Sequence, residues 1–144
     1  MLDKRSENER VFDTARRWVE AWNSHDRQQV EALYAPDFEG TDVADGAPQH
    51  GPRAAGEGLL RYQCGFPDFR VQCEEMVVQG DRLVIAWTAR GTHKGVLMHI
   101  PPTGRAVEVR GASFLTLKDG LIRRSHTIWD MAGLLRGIGL LPDL

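Results

Sequence analysis

Residues 107–139 constrain this chain more than any other stretch, because they read as two long strands, a tight turn and a closing helix. In Val107-Glu108-Val109-Arg110-Gly111-Ala112-Ser113-Phe114-Leu115-Thr116-Leu117, apolar and polar side chains largely alternate. That period of two belongs to a strand with two different faces. Lys118-Asp119-Gly120 follows, and Asp-Gly is a strong hairpin signal because both turn positions must tolerate positive φ. The return strand over residues 121–129 carries Arg, Ser, His and Thr among its apolar residues. Asp130 is placed to cap the helix Met131-Ala132-Gly133-Leu134-Leu135-Arg136-Gly137-Ile138. Polar side chains on the concave face of such a hairpin, beneath that helix, are the place to expect chemistry.

The rest of the chain supplies what this hairpin packs on. Ser6-Glu7-Asn8-Glu9 has the S-x-x-E form of a capping box. Val11, Phe12, Ala15, Trp18, Val19 and Trp22 then recur at helical spacing, giving one broad apolar face. Asp26 starts a second, shorter helix expected to run through Tyr34 and to end before Pro36. A short strand is expected over 38–45, a loop around Gly46, Pro48 and Gly51, and a third helix from Pro52 to Tyr62. Strands are expected over 69–78 and 82–90, and Pro101-Pro102-Thr103-Gly104 bends the connection over 91–105. Helices come early and a meander late, an α+β pattern in which a curved, mainly antiparallel sheet wraps around the helices. The βαβ alternative fails for want of helices between the late strands.

Composition narrows the function. With 144 residues one domain is expected, and a net charge of −2 offers no basic excess for nucleic acid. No apolar run approaches the roughly 18 residues of a membrane helix. The N-terminus lacks an apolar signal-peptide core, so a cytoplasmic protein is expected. Cys64 and Cys73 are expected as free thiols. No H-x-H or H-E-x-x-H spacing suggests a metal, and no Gly-rich phosphate loop or Rossmann fingerprint suggests a nucleotide cofactor. No G-x-S-x-G occurs, and Ser113 has no evident base, so serine hydrolase chemistry is disfavoured.

Three motifs carry a family resemblance. Trp18-Val19-Glu20-Ala21-Trp22-Asn23 with Asp26 leads to Tyr34-Ala35-Pro36-Asp37-Phe38. Gly95-Val96-Leu97-Met98-His99-Ile100-Pro101-Pro102-Thr103-Gly104-Arg105 is similar to the G-x-x-x-G-x-P-P-T-G-R stretch of ester cyclases. Asp119-Gly120-Leu121-Ile122 continues through Trp129-Asp130 to Gly133-Leu134-Leu135-Arg136-Gly137-Ile138-Gly139. Together they resemble the SnoaL-like family of polyketide and ester cyclases, in the NTF2-like superfamily. The resemblance implies a cone-shaped α+β fold around a deep, mostly apolar pocket for a small organic ligand, chemistry without a cofactor, and pairing through the sheet into a homodimer.

It also implies where the chemistry sits. The cyclase acid falls on Thr127 and the cyclase His on Ser113, and neither hydroxyl titrates near neutral pH. The base of ketosteroid isomerase-like relatives falls on Asp42. Their oxyanion donors fall on Trp18 and Ser113, an indole and a hydroxyl that both donate hydrogen bonds. Asp42 is therefore the candidate base, if an apolar cavity surrounds it, or else a solvated loop carboxylate. Histidine is the side chain suited to proton transfer near neutral pH, which singles out His93, at a possible pocket mouth, and His126. Alternation leaves His126 facing the helices or outward, with Ser125, Thr127 and Trp129 sharing the pocket face. Arg90 is either a partner for an acidic ligand group or a solvated strand residue. Tyr62 and Trp129 are candidate pocket walls, while Trp87 reads as core.

The expected function is proton transfer on an apolar carbonyl compound, by cyclisation or isomerisation. The alternatives are a non-catalytic binding or dimerisation module of the same fold, and hydrolase- or hydroxylase-like chemistry.

Overall fold

The computed structural model describes residues 4–143, with side chains from residue 7 onward. The elements follow in order as α1 (Lys4–Ser24), α2 (Arg27–Glu31), β1 (Tyr34–Asp42), β2 (Gln49–His50), α3 (Pro52–Gly65), β3 (Arg70–Gln79), β4 (Arg82–Thr92), β5 (Ala106–Lys118), β6 (Leu121–Trp129) and α4 (Met131–Gly137). Six strands form one sheet in the order β2-β1-β6-β5-β4-β3. β3 to β6 form an antiparallel meander, and β1 joins its β6 edge in parallel. The α+β arrangement expected from the pattern is the one observed. Among the described residues, no helix is long and apolar enough to cross a membrane.

Val11, Ala15, Trp18 and Ala21 form the buried stripe of α1, as their three- and four-residue spacing requires. Phe12, expected on that face, is 43% exposed. Because α1 begins at Lys4, Ser6 lies within the helix, and the side-chain geometry of the expected capping box lies outside the described residues. The Asp26 carboxylate caps α2 by accepting from the Gln28 amide at 2.9 Å.

That second helix is shorter than expected. It stops at Glu31, and Tyr34 to Asp42 pair with β6 instead. A parallel partner lying some 85 residues away is invisible to local propensity. Pro36, which donates no ladder hydrogen bond, sits where the register shifts between Tyr34 and Glu39. The brief β2, on the far side of β1, falls in a region expected to be loop. The β5–β6 turn follows expectation: Asp119 and Gly120 have φ of 53° and 79°, the two left-handed positions of a type I′ turn. Asp130 caps α4, accepting from the Gly133 amide at 2.8 Å. Both cysteines are free thiols.

Candidate functional site

The period of two along β4, β5 and β6 sends one set of side chains toward the helices. Leu83, Ile85 and Trp87 on β4 meet Leu115, Ser113 and Gly111 on β5, which meet Ser125, Thr127 and Trp129 on β6. The helices do not fill the concavity. A cavity of about 170 Å³ remains, walled by Trp18 and Trp22 of α1, Tyr34 and Phe38 of β1, Tyr62 of α3, and Trp87 and Trp129 of the sheet. Arg61 also lines it and is exposed, marking where it opens.

Polar groups are few and mostly engaged. Asp42, at the end of β1, is half-buried; its Oδ1 accepts from the Trp129 indole N–H and from the Ala44 amide, each at 2.8 Å. Among the described residues Oδ2 makes no hydrogen bond. Tyr62 lies nearby, its ring edge-on to Trp129 with centroids 6.2 Å apart. Burial, and then the negative charge of Asp42, push the Tyr62 hydroxyl up to about 12. On the strands beside Asp42, which pairs with Thr127, the Trp87 indole donates to Ser113 Oγ at 3.1 Å, and Ser113 Oγ lies 3.0 Å from Thr127 Oγ1. An indole N–H only donates. The two hydroxyls therefore share one proton, and the other is left for a ligand.

Gly111 makes this packing possible. A Cβ there would come within 2.5 Å of the Trp87 ring and 2.7 Å of Trp129 Cβ, distances no side chain allows.

Seven of the nine residues singled out from the sequence line this cavity: Trp18, Asp42, Tyr62, Arg90, Ser113, Thr127 and Trp129. Trp18 does not offer the expected donor, because its indole N–H goes to the Tyr34 hydroxyl at 3.3 Å. His93 is not at a pocket mouth. It is fully buried beside Phe66, and its Nδ1 accepts from the Thr103 amide at 3.2 Å, pinning the 93–105 connection. His126 takes the outward option; it is exposed on the convex face and bonds Thr41. The Arg90 guanidinium is held by Glu108 at 3.0 Å and Gln72 at 3.3 Å, all three exposed, which leaves it the solvated strand residue. Trp22, Tyr34 and Trp87 were missed as lining residues. Trp22 carried a signal, lying one turn beyond Trp18 on the same stripe.

The SnoaL-like polyketide cyclase family model matches residues 12–138. The chain belongs to this family. IdmH from Streptomyces antibioticus, assigned as a polyketide cyclase, is similar to it at 32% identity, over 88% of this chain and 96% of that one, with a TM-score of 0.75. A protein from Jannaschia sp. CCS1, assigned as a SnoaL-like polyketide cyclase, shares 23% identity over 94% and 95% of the two chains, with a TM-score of 0.83. AclR from Streptomyces galilaeus, assigned as a hydroxylase, shares 24% identity over 96% and 85%, also at 0.83. The last two likenesses speak for the fold alone, which is the NTF2-like cone. No curated protein matches the sequence. That one cone carries proteins assigned to different chemistries is why the cavity, rather than the fold, has to argue the reaction.

Proposed function

We propose that this SnoaL-like protein is an enzyme that removes a proton from the carbon beside a carbonyl group, with Asp42 as the base and no cofactor. One observation carries the reading: Asp42 puts a carboxylate in an aromatic cavity, with Oδ1 held and Oδ2 free. A held carboxylate is already oriented for a C–H proton, so little reorganisation opposes the transfer. The proton moves to Oδ2, and the electron pair of the C–H bond passes to the carbonyl oxygen as an enolate. The hydroxyl proton left over by Ser113 and Thr127 supports that developing charge. Isomerisation follows if the proton returns to a different carbon. Cyclisation follows if the enolate carbon attacks a second carbonyl and the resulting alkoxide takes the proton back.

Thr127 and Ser113 thus act as donors and Asp42 as the base, an exchange of roles relative to an acid–His cyclase pair. The test is hydrogen–deuterium exchange at the α-carbon of cyclic ketones and β-keto esters in D2O, followed by NMR. Wild type should exchange at least one of them above the buffer rate, and Asp42→Asn should lower that rate about a hundredfold or more with an unchanged circular dichroism spectrum. Binding of the panel without exchange would support a non-catalytic binding module instead. Equal exchange by wild type and Asp42→Asn would remove Asp42 as the base.

A further inference from the structure

On the helix-side wall of the cavity, the proton of one hydroxyl meets no acceptor among the described residues. Trp18 Nε1 donates to the Tyr34 hydroxyl. One turn along α1, the Trp22 ring lies with its centroid 6.0 Å from that of Trp18. Its buried Nε1–H stands beside the same hydroxyl and makes at most a weak hydrogen bond to it. Indoles donate and never accept through nitrogen, so the Tyr34 oxygen is the acceptor in this group. Its own proton meets no acceptor among the described residues. Tyr34 is 7% exposed, so solvent reaches it only through the cavity. A buried donor left unmade costs about 1–3 kcal/mol, a cost that a ligand oxygen would relieve.

We propose that Tyr34, its oxygen held by Trp18 and flanked by Trp22, is a subsite for a neutral acceptor oxygen: the carbonyl of a ketone, quinone or ester. An anionic oxygen is disfavoured, because the two cations lining the cavity, Arg61 and Arg90, are both exposed and a buried anion without a partner is costly. Tyr34 pairs with Ile122 and Asp42 with Thr127. Those five residues of β6 set the two backbone positions about 17 Å apart along the sheet. A ligand touching both is therefore long, and the aromatic walls favour a flat one of two or three fused rings. This subsite deepens the proposed reaction by naming what holds the far end of its substrate, and it leans on that reading for the Asp42 end alone.

The experiment uses 9-fluorenone and fluorene, the same tricycle with and without a carbonyl. Fluorenone has no enolisable hydrogen, so its binding is read without turnover. Calorimetric titration of the wild-type protein should show a preference for fluorenone. Tyr34→Phe should weaken fluorenone binding roughly three- to tenfold and leave fluorene unchanged. The infrared C=O stretch of bound fluorenone should lie below its value in hexane and move back toward it in Tyr34→Phe. An unchanged ratio of the two affinities, an equal loss for both ligands, or a wild-type stretch at the hexane value would overturn the subsite. The infrared reading on wild type needs no variant, so a Tyr34→Phe protein that does not fold leaves the proposal testable. Fluorenone binding and its infrared stretch are read on wild type without any proton transfer, whereas the α-carbon exchange assay reads Asp42 alone, which keeps failure of this subsite distinct from failure of the proton-transfer reading.

Discussion

Asp42 and the two tyrosines show how much a single side chain's surroundings decide. A loop-edge aspartate becomes a positioned carboxylate because the nearby Ala44 amide and the indole N–H of Trp129, 87 residues away, both donate to it. The chain has two tyrosines, and both face this cavity. Burial pushes the hydroxyl of Tyr34 up from its ordinary value of 10, and burial with the Asp42 charge takes Tyr62 to about 12. An absorbance titration at 295 nm should therefore show no tyrosine ionising with a midpoint near 10 while the protein is folded. One full tyrosine transition at pH 10 would contradict the burial described. The linkage has a definite sign, since both values are raised on folding. The stability these groups confer is fully present below pH 10 and is lost as pH climbs toward 12, where the unfolded chain ionises first. His93 and His126 teach the opposite lesson, because the side-chain type best suited to proton transfer was placed outside the cavity both times.

Among the elements, the β5–β6 hairpin was the most legible, because its alternation, its Asp-Gly turn and its capped helix all agree. Its register carries the site: Gly111 lies opposite Trp87 on one side and Trp129 on the other. Gly111→Ala should destabilise the protein by about 1–3 kcal/mol and slow the proposed exchange, by forcing Trp129 away from Asp42. Chemical denaturation and the exchange assay would check both, with Gly46→Ala as a control, since a Cβ at Gly46 meets nothing within 4 Å. The 93–105 connection is also built from its sequence. His93 Nδ1 and the Thr103 amide tie its base, and Leu97 turns back to Ile100 through Met98 and His99. Met98 and His99 have φ of 48° and 67°, and His99 stands where the ester cyclase pattern has glycine, which adopts such angles at less cost.

The whole molecule is organised around a hollow it does not need for folding. The cavity of about 170 Å³ leaves apolar wall uncovered that a filled core would bury. Retaining such a void makes sense if something occupies it. Ala89, on the inner face of β4, lines it beside Trp87 and Gly91. Ala89→Val should raise Tm by about 3–6 °C and weaken fluorenone binding, measured by thermal denaturation and calorimetry on the same sample. A stabilised variant that still binds fully would show that this wall is not where ligands sit. From the sequence alone came the α+β class, the amphipathic α1, the hairpin, the capped closing helix, and seven cavity residues, because periodicity, turn chemistry and caps act over a few neighbouring residues. Only the tertiary structure decided that Tyr34 to Asp42 is a strand, that His93 and His126 are excluded, and which donors remain free. Those outcomes depend on β1 meeting β6 across some 85 residues of chain, and no local preference encodes a partner so far away.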